Sequence, residues 1–273
     1  MPKQSDRDGR EVAAIVGVLA SVLGMLEGGT THIGVATDHV IESFRNDLWP
    51  GYKTSEGIEP ELLAQFHPLE DALRAMGVVV WAMEAFEADD ALAAAARLAA
   101  ESAGVEQVII CTPDKDLSQC VVGKRVVQFD RRKRELRDEQ GVVARFGVGP
   151  KSIPDYLALV GDSADGFPGV PGWGEKASGA VLGRYGHLER IPASAKDWEV
   201  PVRGAARLAA VLEENRPLAL LFRKLATLRT DVPVFKTVED LRWRGPTAEF
   251  ERVAQQLAVP GLWEQARRIP LTD

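Results

Sequence analysis

Carboxylates gather at four places in this 273-residue sequence. Glu87, Asp89 and Asp90 stand together in FEADDALAAAA, Asp114 and Asp116 in TPDKDL, Asp162 and Asp165 in GDSADG, and Asp38 closes HIGVATD. Carboxylate oxygens are natural ligands of hard cations, so acids brought together from separate segments would hold one. Each group also has a plain structural use. Acids in a first helical turn meet the positive end of the helix dipole, and Glu87 with Asp90 is near capping-box spacing. Asp162 and Asp165 suit an Asx-type turn.

Which use prevails depends on where the elements put these groups. Glu11–Leu26 is apolar at helical spacing, HIGVAT (His32–Thr37) reads as a strand, Pro60–Met76 as an amphipathic helix and GVVVW (Gly77–Trp81) as a second strand. A helix over Ala88–Ser102, a strand over Val105–Thr112, a helix over Asp116–Val121 and a strand over Arg125–Phe129 follow. This alternation predicts an α/β fold with a mostly parallel sheet covered on both faces. Ligands collect at the carboxyl ends of such strands. Asp38, the Glu87/Asp89/Asp90 group and the Asp114/Asp116 pair each follow a predicted strand, which puts six acids on one rim. That convergence is unfavourable unless cations neutralise it.

Beyond Phe146 the pattern changes to helices with Gly- and Pro-rich turns, so residues 1–146 are expected as an α/β domain and 147–273 as a helical region. In VPGWGEKAS, Gly172 and Gly174 lead into a helix start that carries Lys176. Glycines let backbone approach a phosphate, and the helix start offers its N–H groups. A helix-hairpin-helix loop of this kind, at about residues 160–185, binds nucleic-acid backbone without reading bases. The basic run KRVVQFDRRKRELR, Lys124–Arg137, fits either an exposed hairpin or a duplex-backbone contact. The tail LRWRGPTAEFERVAQQLAVPGLWEQARRI reads as a strand-and-helix extension without assignable chemistry.

Composition narrows the classes. Cys111 and Cys120 form no CxxC pair, and His32, His39, His67 and His187 are scattered, which argues against a disulfide framework or a zinc site. The apolar run Ala13–Leu26 is too short to span a bilayer, and Gly28-Gly29 reads as a helix stop; a core helix and a cytoplasmic location are expected. The formal charge of −7 argues against a nucleic-acid partner only until carboxylates dedicated to cations are set aside. Without the eight named above, the balance turns slightly positive.

The series VATD, FRNDLWPGYK, FEADDALA, TPDKDLSQC, LVGDSADGFPGVPGWGEKAS and LRTDVPV resembles, in order and spacing, the 5′→3′ exonuclease family. That family includes the flap endonucleases and the N-terminal nuclease domain of bacterial DNA polymerase I. The resemblance covers roughly residues 11–234. It implies a PIN-like domain with a helix-three-turn-helix region, hydrolysing DNA at 5′ ends, nicks or branches with two magnesium or manganese ions. Asp38, Glu87, Asp89 and Asp90 match the acids around the first ion, Asp114 and Asp116 the pair leading toward the second, and Asp162 and Asp165 the acids of the helical part. Lys53 and Arg45 match basic residues near the scissile phosphate, and Tyr52 is placed to stack on a terminal base. The likeness also allows a potassium ion at the hairpin motif, a monomeric state and a polymerase as functional partner.

Two departures accompany it. Members open with a strand ending in Asp-Gly, whose aspartate joins the first metal site. This sequence opens on MPKQSDRDGREV, and neither Asp6 nor Asp8 follows a predicted strand. The expectation is either a start further upstream or a variant with weakened metal binding that keeps DNA-structure binding without turnover. After Lys53, Thr54, Ser55, Glu56 and Gly57 replace further bases, so exonuclease action is expected ahead of flap threading.

Overall fold

A computed structural model describes residues 3–271. In chain order it contains α1 (Ala13–Glu27), β1 (Gly34–Asp38), α2 (Phe44–Leu48), α3 (Pro60–Leu63), α4 (Phe66–Ala75), β2 (Val79–Met83), α5 (Ala88–Glu101) and β3 (Val108–Ile110). Then follow β4 (Val126–Asp130), β5 (Glu135–Arg137), α6 (Glu139–Phe146), α7 (Ile153–Val160), α8 (Glu175–Tyr185), α9 (Ala205–Glu214), α10 (Arg216–Ala226), α11 (Glu249–Gln256) and α12 (Pro260–Ala266). The alternation predicted from the sequence is present. The stretch Asp116–Cys120 is a 3-10 turn, and the strand expected over Val105–Thr112 is confined to its middle. The helix expected over Pro60–Met76 is broken in two near Gln65, whose buried side chain turns to accept hydrogen bonds from Ala14 N and Ile15 N at the start of α1.

The chain packs as two units. The first comprises residues up to Ile41, Ser55–Ala88, and those from Val234 onward. Its α1 buries Ile15, Leu19, Val22, Leu23 and Leu26, a stripe at helical spacing. β1 and β2 run parallel, with Gly34 opposite Val79 and Asp38 opposite Met83. The C-terminal tail completes this core with Phe250, Leu257, Leu262 and Ala266, and Trp243 joins it with its Nε1 donating to Met76 O at 2.9 Å. Packing therefore does not divide the chain at Phe146, where the sequence pattern changes: apolar residues of the tail are needed to cover α1 and α4.

The second unit comprises Glu42–Thr54 and Asp89–Pro233. β3 and β4 are parallel, while β4 and β5 form an antiparallel hairpin made from the basic run. α5 buries Ala91, Ala93, Ala94, Ala95, Ala96 and Ala99, small side chains that permit close packing. The main core gathers around α7 and α10, where Phe222 stacks on Phe167 with ring centroids 5.5 Å apart. Directly after α7 the backbone makes the GDSADG turn. Asp162 N donates to Phe167 O at 2.8 Å and Phe167 N returns to Asp162 O at 3.0 Å. Gly161 and Gly169 pass each other backbone to backbone at its base, both with positive φ. A Cβ on Gly161 would lie 2.5 Å from the Pro168 carbonyl.

That close approach predicts a large effect at one glycine and little at another. Gly161→Ala is expected to lose roughly 3 kcal/mol in chemical denaturation, combining left-handed strain with backbone displacement. Gly104→Ala, where the added carbon meets nothing within 4 Å, should stay within about 0.5 kcal/mol.

Candidate metal centre

The second unit brings carboxylate oxygens of Asp116, Asp162 and Asp165 within 4.8 Å of one another. Asp116 arrives on the turn after β3. That loop is pinned by Gln128 on β4, whose Nε2 donates to Thr112 O and Asp114 O and whose Oε1 accepts from Ser118 Oγ at 2.8 Å. Asp162 and Asp165 arrive on the glycine-bounded turn after α7. Asp162 Oδ1 accepts from Ala164 N at 3.0 Å, and Asp165 O accepts from Lys53 N at 3.0 Å.

Asp116 is 4% exposed, and its Oδ1 has no hydrogen-bond partner. Burial pushes its carboxyl well above the ordinary range, and the charges of Asp114, Asp165, Asp162 and Asp89 push it further. Cys120 feels the same field: burial, then Asp89, Asp90 and Asp116, push its thiol up to about 12. An orphaned buried oxygen beside two further carboxylates fits a hard divalent cation, which would satisfy the oxygen and cancel the repulsion. Lys115 Nζ meets Asp162 Oδ2 at 2.8 Å, and Lys53 Nζ meets Asp165 Oδ1 at 3.4 Å. For Lys115, burial alone would lower the pKa, but the bond to Asp162 and the charges of Asp162, Asp116 and Asp114 outweigh it and raise it.

The other expected residues have varied surroundings. Asp38, in the first unit, accepts from Ala88 N at 2.7 Å and so caps the start of α5. Glu87 is buried at that same start, Asp89 is half-buried in the first turn, and Asp114 is exposed, with its Oδ1 accepting from Asp116 N. Asp90 is fully buried and does not open toward an ion. Its two oxygens receive Arg45 Nη1 and Nη2 at 2.7 Å each, and Oδ1 also accepts from Arg229 N. Arg45 is 1% exposed and also donates Nε to Leu225 O at 2.7 Å. Its guanidinium therefore cross-links α2, α5 and the end of α10, contrary to the expectation that it steadies a phosphate. Tyr52 is 3% exposed within the core, which corrects its expected role as a stacking surface. Gly172, Gly174 and Lys176 are exposed at the start of α8, with Gly174 in extended conformation at the N-cap. Lys115 is the residue that sequence reasoning passed over. Its position between the two acids of TPDKDL is the signal in the sequence that points to it.

Residues 1–147 match the family described as 5′-3′ exonuclease, N-terminal resolvase-like domain, and residues 148–249 match 5′-3′ exonuclease, C-terminal SAM fold. DNA polymerase I of Pseudomonas aeruginosa is 38% identical over 88% of this chain and 26% of its own length. DNA polymerase I of Bacillus subtilis is 32% identical over 90% of this chain and 28% of its own. The chain spans about a quarter of the length of these curated relatives. Among solved structures, T5 5′-exonuclease with zinc bound superposes with a TM-score of 0.63 at 17% identity, covering 94% of this chain and 90% of that one. The catalytic core of Rad2 with DNA substrate gives 0.62 at 15% identity, covering 98% and 86%. These likenesses establish the fold, PIN-type α/β with a helical C-terminal part.

The buried, crowded carboxyl of Asp116 predicts a pH signature in the metal-free protein. A carboxyl whose folded pKa is raised contributes stability below its unfolded value, and that stability is lost as pH rises through the folded value. In EDTA at neutral pH, Asp116→Asn should therefore be more stable than wild type by about 1–3 kcal/mol in chemical denaturation. The gap should close below about pH 4, where Asp is protonated in both states. Added magnesium should stabilise wild type and leave the variant unchanged.

Proposed function

The chain belongs to the 5′-3′ exonuclease family, and from that premise we propose that it is a divalent-metal-dependent nuclease releasing nucleotides from DNA 5′ ends. The observation that carries this reading is the meeting of Asp116, Asp162 and Asp165 around an oxygen without a partner. These three would hold the ion, with Asp89 and Asp114 placed to engage its water shell. Magnesium or manganese held by these residues would supply Lewis acidity toward an attacking water and the leaving oxygen of the phosphodiester.

The remaining residues bind and orient the strand. Lys53, partly exposed beside Asp165, would steady the charge of a phosphate, a role its ion pair at the cluster supports. A cleft of ≈ 280 Å³ is lined by the bases Lys115, Lys133, Arg137 and Arg145 and equally by the acids Asp114, Asp130, Asp162 and Glu175. The formal balance there is neutral, and a cation held by the carboxylates would turn it positive toward a phosphate backbone. Gly172, Gly174 and the N-terminus of α8, with exposed Lys176, would hold a duplex phosphate away from the reaction, where the family resemblance also suggests a potassium ion. No helix among the described residues is long and apolar enough to cross a membrane. The chain would work as a monomer in the cytoplasm on nicked or branched DNA, alongside a polymerase and with flap cleavage secondary.

One observation favours a second reading. Asp90 is closed by Arg45, so fewer acids face an ion than the eight in the sequence pattern, as in a DNA-structure binder with impaired turnover. A 5′-labelled nicked duplex separates the two. The nuclease reading expects labelled nucleotides with magnesium, none with EDTA, and at least a 100-fold loss of rate in Asp162→Asn. Lys53→Ala should lose on the order of 10–100-fold in kcat. Tight binding of the duplex in calcium, with no product in magnesium, would establish the second reading, and preferential cleavage of RNA would overturn both.

A further inference from the structure

Two of the three clustered carboxylates face an ammonium group, and the two ammonium groups differ in origin. Lys53 reaches Asp165 from a segment remote in sequence, at 3.4 Å. Lys115 sits between Asp114 and Asp116 and reaches across to Asp162 Oδ2 at 2.8 Å. Asp162 is 4% exposed on its side chain and Lys115 39%, so the contact joins a buried anion to a cation with a way out to solvent. The partner oxygen, Asp162 Oδ1, is engaged by Ala164 N, which holds the carboxylate still while the lysine can leave.

We propose that Lys115 is the resident counter-ion of this cluster: it neutralises Asp162 when no divalent cation is present, must give up that oxygen when one binds, and thereby sets the metal affinity. The inference rests on the reading of Asp116, Asp162 and Asp165 as a metal centre. Its physical basis is competition. An ammonium stabilises the metal-free arrangement, in which Asp162 and Asp116 would otherwise repel, and it opposes a divalent charge arriving at the same oxygen. Removing it therefore destabilises the free state and relieves the bound state, and both effects tighten binding. A lysine serving only as a surface residue would produce neither.

The test is calorimetric titration of manganese into the metal-free protein, with unfolding temperature recorded in EDTA and in saturating manganese. Lys115→Met keeps the aliphatic stem and removes the charge. It is expected to bind manganese roughly three- to tenfold more tightly than wild type. Its unfolding temperature should be lower than wild type in EDTA and equal to or above it in saturating metal. Lys115→Gln should behave likewise if the methionine variant does not fold. Lys115→Arg, which keeps the charge, should remain within about threefold of wild type. Unchanged or weaker affinity in both neutral variants, with saturable binding by wild type, would overturn the role of Lys115 alone. Absence of saturable binding by wild type would overturn the metal-centre reading beneath it.

Discussion

Like charges brought close together in a poorly solvated place repel, and in the second packing unit several carboxylates are held against that repulsion. Asp116 is the centre of the problem because it is buried, has an oxygen without a partner and feels four neighbouring acids. Much of the local architecture reads as the means of holding it there. Gln128 pins the loop that carries it, and two glycines let the GDSADG turn fold back on itself beneath Asp162. Neither device contributes charge. Each supplies rigidity, so that the acids remain together instead of relaxing apart.

Arg45 and Asp90 show the opposite solution to a buried charge. There the carboxylate is matched by a guanidinium in two parallel hydrogen bonds, and backbone groups at Leu225, Thr227 and Arg229 take up further capacity. A pair so enclosed adds little net stability over an apolar substitute, yet losing one partner leaves an uncompensated charge. Its consequence is geometric: it locks the first turn of α5, and with it neighbouring Asp89, against α2 and the chain leaving α10. Two adjacent aspartates in one motif thus differ: Asp90 is committed to the scaffold, whereas the charge of half-buried Asp89 adds to the field at Asp116.

The tail, too, is placed by long-range packing. Its sequence suggested no chemistry, and in the structure it has a packing task, covering α1 and α4 with Phe250, Leu257 and Trp243. The helix at Pro60–Met76 broke for a comparable reason, since the Gln65 side chain satisfies N–H groups at the start of a distant helix. Both are long-range requirements that local periodicity does not carry.

Spacing and residue type alone were enough to determine the alternation of strands and helices, the placement of acids after strands and the exposed glycine turn before α8. Side-chain periodicity and turn chemistry are local, and they leave a record in consecutive residues. Only the tertiary structure decided which of those acids meet. Asp116, Asp162 and Asp165 come together because two loops distant in sequence are pinned side by side, whereas Asp90 is withdrawn by an arginine 45 residues earlier. Tyr52 and Arg45 likewise read as surface chemistry in a loop and proved to be interior. Burial is a property of what packs from elsewhere in the chain, and no short stretch of sequence contains it.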